Sequence, residues 1–220
     1  MIVFTDNFTV SVDTNIDAYP SGSPDYAYVT GSGTNFTVNA ANDRNQIVLT
    51  NTDIIARIID GAVPTGDQQI TCDVHNSTGA DDTAALAARC ASGSVDCYVA
   101  YPSAQAPNPH LNFYRVTTGG FTQIAGQDRT FGADASVRFK AVGTNPVDLE
   151  GQVDATAVVT FSDSAADRKQ SGTPGLHGFA TAANVAWHDN VSVDDLTTAV
   201  TPTPLRLARI WGAPLGRGLS

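Results

Sequence analysis

Asp148 and Glu150 lie two apart in Val147-Asp-Leu-Glu-Gly151. On a β-strand such residues share a face, and two carboxylates a few ångströms apart are what a retaining glycosidase uses as nucleophile and acid. The plainer reading is an exposed acidic strand beside a turn. No Gly-x-Ser-x-Gly elbow supports a Ser–His–Asp triad. Cys72, Cys90 and Cys97 form neither a Cys-x-x-Cys pair nor a Cys/His cluster of the zinc-binding kind. They read as small buried hydrophobes. Cys90 and Cys97 flank the turn-rich stretch 91–96, so a hairpin would bring them opposite each other. Binding residues are the better prospect. Tyr98, Tyr101, Phe113 and Tyr114 fall in neighbouring strand candidates. Phe113 and Tyr114 are adjacent and point to opposite faces, so one is core and only the other can meet a ligand.

Strands must position these residues. Short apolar or alternating runs recur at Asn35–Asn39, Gln46–Thr50, Gln69–His75, Ala84–Arg89, Asp96–Tyr101, Leu111–Thr117, Phe121–Ile124, Ser136–Val142, Ala157–Phe161 and Val185–Val193. Gly31-Ser-Gly33, Thr118-Gly-Gly120, Gly143-Thr-Asn-Pro146 and Ser171-Gly-Thr-Pro-Gly175 read as the turns and loops between them. A spacing of about ten residues predicts an all-β sandwich or barrel. Ala84–Arg89 follows an Asp cap and has helical composition, but its place between strands favours a strand. Ile54–Asp60 suits a strand or one helical turn.

Composition agrees. Of the 22 acids only Glu150 is Glu, and ten of the 12 cations are Arg; a chain so poor in Glu and Lys lacks the usual residues of exposed helices. The net charge of −10 speaks against a nucleic-acid partner. No apolar run is long enough for a membrane partner. The opening Met1-Ile-Val-Phe-Thr-Asp6 reads as a first strand and not as a signal peptide. A body over 1–196 is predicted, followed by a Thr/Pro linker and an apolar, basic strap over 197–220. Arg206, Arg209 and Arg217 give that strap +3, against −13 for the remainder. Leu205, Leu207, Ile210 and Trp211 need burial, either on the chain's own sandwich or on an acidic neighbour. Leu205, Arg206, Arg209, Ile210 and Trp211 are the candidate docking residues.

The order of elements from Gln69 to Leu196 resembles the laminin-G-like jelly rolls of the concanavalin A-like lectin and glucanase superfamily. The likeness runs from Ala87-Ala-Arg89 and Asp96-Cys-Tyr98 through Leu111-Asn-Phe-Tyr-Arg115, Gly119-Gly-Phe-Thr-Gln-Ile124 and Ser136–Val142. It continues through Ser162-Asp163 and Ser171-Gly-Thr-Pro-Gly-Leu176 to a closing Trp187-His-Asp-Asn-Val-Ser-Val193, with Phe4-Thr-Asp-Asn-Phe8 as the first strand. About 190 of the 220 residues are covered. The Phe-x-Asp-x-Phe opening, followed by Pro24-Asp-Tyr26 and a Gly-rich turn, is also similar to domains of tailed-phage structural proteins.

The resemblance implies a two-sheet antiparallel jelly-roll sandwich. It implies a glycan face, for which Tyr98, Tyr101, His110, Tyr114 and Arg115 are the candidates, and a structural calcium between the first and last strands, for which Asp6 and Asp189 are the candidates. The plainer reading of Asp6 and Asp189 is that they cap turn amides. The paired-Glu strand of the glucanases is missing, which argues against an enzyme. His110, Tyr114, Arg115 and Gln123 match the residue types of polysaccharide lyases on this fold without a matching motif. The reading favoured by the sequence is a non-enzymatic, lectin-like component of a phage virion, a decoration or cement protein on the particle surface. Its expected partners are the major capsid or another virion protein, copies of itself and a host-surface glycan. A carbohydrate-binding module of a secreted protein is second, and a glycan-active hydrolase or lyase third.

Overall fold

A computed structural model describes residues 1–20, 25–31, 35–48, 52–78, 82–106, 108–118, 120–128, 130–182 and 185–197. The predicted linker and strap, with Leu205, Arg206, Arg209, Ile210 and Trp211, lie outside the described residues from 198 onward. The chain folds as two antiparallel sheets packed face to face, the jelly-roll sandwich expected.

One sheet has nine strands, in the order β14 (Ala157–Asp163), β13 (Val147–Val153), β12 (Asp134–Val142), β7 (Gln68–His75), β16 (Trp187–Asp195), β5 (Arg44–Ile47), β4 (Phe36–Asn39) and β2 (Thr14–Asn15). The first strand, β1 (Ile2–Asp6), pairs with the far half of β16. The other sheet has seven strands, in the order β11 (Gly120–Asp128), β10 (His110–Thr117), β9 (Cys97–Ser103), β8 (Thr83–Cys90), β15 (Thr173–Phe179), β6 (Ile54–Ile58) and β3 (Tyr26–Thr30).

Alternation explains most of this. In β7, Gln68, Ile70, Cys72 and Val74 are buried while the residues between them are partly exposed, as one-sided burial requires. Between the sheets, Phe113 meets Phe139 at 5.3 Å between ring centres. Gly151 of β13 makes room for that pair, since a Cβ there would lie 2.6 Å from the Phe113 ring. A Cβ on Gly178 of β15 would likewise come within 2.6 Å of Phe36.

β8 breaks the alternation because every one of its residues is buried. Ala84, Leu86 and Ala88 enter the inter-sheet core, while Ala85, Ala87 and Cys90 belong to a second apolar layer on the outer face. A strand covered on both sides reads as a continuous apolar run, which is why its alanines imitate a helix. The strand reading of Ala84–Arg89 holds, and Ile54–Ile58 is also a strand.

One sequence reading is corrected. Ser171-Gly-Thr-Pro-Gly175 is not a connection: Thr173–Phe179 is β15, an interior strand between β8 and β6. Proline is tolerated inside a sheet at a bulge, and the β15–β8 register shifts between Thr173 and Gly175, around Pro174. On the β8 side Arg89 has a φ of 54°. Tyr26–Thr30 is a strand that its neighbouring turn residues concealed.

Polar ties hold the ends. Asp6 accepts from the Tyr19 and Tyr26 hydroxyls, at 2.8 and 2.9 Å, and from the Phe8 amide at 2.8 Å. Arg115 donates to Asp163 at 3.0 Å and pairs with Asp167, fastening the segment after β14 to β10 on the opposite sheet.

Candidate functional site

The outer face of the seven-stranded sheet carries large rings over small floors. Tyr101 of β9, Tyr114 of β10, Phe121 of β11 and His177 of β15 project there, and Ala85 and Ala87 of β8 lie among them in the same apolar layer. The Phe121 and His177 ring centres are 5.6 Å apart. Four strand spacings would separate them by about 19 Å on a flat sheet, so this face is concave. Tyr101 meets Tyr114 at 5.8 Å and 74°, and Tyr114 meets Phe121 at 6.0 Å and 71°, both edge to face. These rings, with Phe179 and Asp53, line a hollow of about 240 Å³.

Asp53 is the charged group of the hollow. Its Oδ1 is 2.9 Å from Nε2 of His177, whose side chain is fully buried while Asp53 stays 40% exposed. With the proton on Nε2, His177 donates to the carboxylate and fixes its direction. The Nδ1 atom of His177 is buried without a hydrogen-bond partner among the described residues. Behind this pair stands His188 of β16, on the opposite sheet. Its Nε2 lies 3.0 Å from the Ala85 carbonyl and 3.1 Å from the His177 carbonyl, and donates to both strands that carry the floor. The Asn45 amide approaches its Nδ1 at 3.2 Å. Burial disfavours the imidazolium and lowers the His188 pKa from 6.5 to about 4, so the ring is neutral at physiological pH.

A polar margin adjoins the rings. The Gln123 amide donates to Asn112 Oδ1 at 3.2 Å, and the Asn112 amide reaches the Tyr114 hydroxyl at 3.5 Å. His110 shares the outer side of β10 with Asn112 but is bound to the Asn108 carbonyl at 2.9 Å and does not line the hollow.

Of the five residues predicted for a ligand face, Tyr101 and Tyr114 come together at the hollow. Two others are corrected. Tyr98 is fully buried in the inter-sheet core, where its hydroxyl donates to Asp163 at 2.7 Å and accepts from the Lys169 amide. Arg115, one residue beyond Tyr114, points the other way by strand alternation and is held by Asp163 and Asp167. Sequence reasoning missed Asp53, Phe121, Phe179 and His177. A signal for the last two existed: Thr173, Gly175, His177 and Phe179 are spaced by two, but the segment's beginning had been read as a turn.

Asp148 and Glu150 do share a face, on the outer side of the nine-stranded sheet. Glu150 accepts from Arg138 at 2.6 Å and from Gln152 at 3.2 Å, and Asp148 accepts from Ser162 at 2.5 Å. Both also line a surface hollow of about 380 Å³ with Lys140, Thr160 and Phe161. Asp6 and Asp189 each take a turn amide, those of Phe8 and Asn190. Burial and the neighbouring Asp73 raise the Asp189 pKa. Asp6 already accepts three protein donors, which leaves little of its carboxylate for a cation. Among the described residues no group of three or more His, Cys, Asp or Glu is arranged to hold a metal. Cys72, Cys90 and Cys97 are free and buried, and Cys90 and Cys97 share the outer apolar layer.

No protein-family model matches the sequence, and no curated protein matches it either. Solved structures do match in fold. The carbohydrate-binding module CBM66 from Bacillus subtilis is similar with a TM-score of 0.57 and 16% identity, over 78% of this chain and 96% of that one. The alginate lyase Aly36B, solved with an alginate tetrasaccharide, is similar with a TM-score of 0.55 and 10% identity, over 88% and 96%. The exoplasmic/lumenal domain of VIP36, in a form bound to calcium and Man3GlcNAc, gives 0.50 and 10%, over 90% and 93%. The Bacteroides ovatus protein GH43B gives 0.60 and 12% over 87% of this chain, which spans only 39% of that longer protein. These likenesses establish the fold, a β-sandwich shared with a carbohydrate-binding module, a lumenal domain and an alginate lyase.

Proposed function

We propose that this is a carbohydrate-recognition domain without catalysis of its own, taking its ligand in the hollow of the seven-stranded sheet. One observation carries the reading: four aromatic side chains and an oriented carboxylate line a concavity on an otherwise apolar face. Aromatic faces suit the C–H faces of a sugar ring, and Asp53 offers acceptors for its hydroxyls. The carbohydrate-binding module CBM66 and the Man3GlcNAc-bound VIP36 domain among the similar folds support it. Against glycoside hydrolysis, a single carboxylate lines the hollow among the described residues, whereas the reaction uses a pair.

The test is binding to a broad glycan array followed by calorimetry on the best ligand. The wild type binds, and Tyr114→Ala weakens binding more than about tenfold, or 1.4 kcal/mol, with an unchanged circular-dichroism spectrum. An array with no hits, or a variant that binds equally well, removes the reading.

The setting rests on sequence alone. An acidic body with an apolar, basic strap fits a virion-surface protein docked on a capsid or tail protein, or on its own copies, through Leu205, Arg206, Arg209, Ile210 and Trp211. Copurification with a particle, abolished by deleting 205–220, checks it; a free monomer with and without the strap favours the secreted binding module instead. A calcium ion belongs to this reading only through the calcium-bound lectin domains, because Asp6 is satisfied by protein donors. Thermal melts check it: a rise in Tm with calcium, lost in Asp189→Asn, sustains the ion, and superimposable melts dispose of it.

A further inference from the structure

We infer that the hollow takes one terminal, uncharged sugar residue end-on, and not an internal stretch of a polysaccharide or an acidic sugar. The inference rests on the carbohydrate reading above and narrows it to a ligand class.

Size comes first. The hollow measures about 240 Å³. It falls below the roughly 300–1,000 Å³ of pockets that enclose drug-sized ligands. One sugar ring suffices to fill it.

Shape agrees. An extended glycan lying flat on a sheet would stack successive units on rings turned to a common plane. Here Tyr101 and Tyr114 stand at 74°, Tyr114 and Phe121 at 71°, and Phe121 and His177 at 64°. They are walls of a cup. The outward residues that follow along the strands are Val99 and Cys97 below Tyr101 and Val116 below Tyr114, all fully buried. A chain is therefore stopped in that direction by packed apolar side chains.

Charge sets the third limit. Among the described residues Asp53 is the carboxylate of the lining and neither Lys nor Arg joins it, while the ionisable ring at its wall, His177, is the one that Asp53 engages. A uronate or sialate would set its carboxylate against Asp53 inside a small apolar cup, where repulsion between like charges is weakly screened. Asp53 Oδ1 is engaged by His177, which leaves Oδ2 to accept from sugar hydroxyls. His177 thus acts as a positioning residue, keeping that acceptor aimed.

The experiment is calorimetric titration of the full chain with four probes. These are methyl glycosides of neutral hexoses and pentoses, linear neutral oligosaccharides of increasing length, a cyclic oligosaccharide without chain ends, and the uronic-acid counterpart of the best methyl glycoside. The methyl glycoside and the linear series should bind within about threefold of each other, the cyclic probe should not bind, and the uronate should bind at least tenfold more weakly. Asp53→Asn keeps an acceptor for His177 and should shrink the discrimination against the uronate by more than tenfold, with an unchanged melting curve. Affinity that climbs with each added unit, a cyclic probe that binds like a linear one, or a uronate that binds best would overturn the inference while leaving carbohydrate recognition in place. A wild type that binds none of the neutral probes would instead bring down the carbohydrate reading itself.

Discussion

On the outer face of the nine-stranded sheet, Arg138 is spent on Glu150, Ser162 on Asp148, and Trp187 lies stacked on His75 at 5.3 Å with the Arg44 guanidinium 4.6 Å from its ring centre. On the outer face of the seven-stranded sheet, Tyr101, Tyr114, Phe121 and Phe179 surround a space they do not fill. Both faces follow the same two-residue alternation. They differ in the size and polarity of neighbouring outward residues. Charged residues of opposite sign on adjacent strands find each other, as Arg138 and Glu150 do. Large rings flanking the alanines of β8 cannot close completely over such small floors, so a hollow remains with one carboxylate in it. A face rich in ionisable groups can pair many of them with one another, while a mostly apolar face holds one carboxylate aimed by a buried histidine.

Substitutions and pH can break this contrast, and the largest effect is expected from the aromatic layer. Tyr101 is 8% exposed and packs against both Tyr114 and His177. Tyr101→Ala should cost about 3 kcal/mol in chemical denaturation and abolish glycan binding; a loss below about 1 kcal/mol would mean that the layer is not packed as described.

Acidification should come next. The folded His188 pKa of about 4 lies below the ordinary 6.5, so as the pH falls through 6.5 the unfolded chain takes a proton that the folded chain refuses. Stability present at neutral pH is lost between about 6.5 and 4, on the order of 3 kcal/mol at most. Because His188 holds the carbonyls of Ala85 and His177, that loss falls on the floor of the hollow. Urea melts across this range should show the slope, and His188→Gln should flatten it; an identical slope in the variant would locate the titration elsewhere.

On the charged face the effects should be small. Glu150→Gln removes a partly exposed pair with Arg138, worth up to about 1 kcal/mol, and should leave glycan affinity untouched. Asp148→Asn should change stability by less than about 0.5 kcal/mol. If either abolished binding, the two faces would have to exchange roles.

The contrast also explains what could be read from the sequence. Alternating strands such as Gln69–His75 and Ser136–Val142 were legible because one face meets the core and the other meets solvent. Tyr114 and Phe113 were separable by parity alone. The hollow was only half visible, because its walls and floor come from six strands or their flanks and three of those segments sent the wrong local signal. β8 has alanines where alternation should be, β15 begins with Gly-Thr-Pro-Gly, and Asp53 precedes a run that suited either helix or strand. Tyr98 carried the same residue type as Tyr101 with the opposite parity. Counting its odd step along β9 would have sent it inward, to Asp163.

The pairing of β1 with β16 carries a mechanical consequence. Ile2 faces Asp194 and Asp6 faces Val191, and the Met1 amino group donates to the Asp195 carbonyl at 3.0 Å. The start of the first strand and the end of the last strand therefore leave the sandwich side by side. A pull between Met1 and Asp195 runs across the ladder, so it loads the rungs one after another and peels the strands apart like a zipper. A domain hung by these two points yields at its seam at low force, while the hollow on the other sheet keeps its shape.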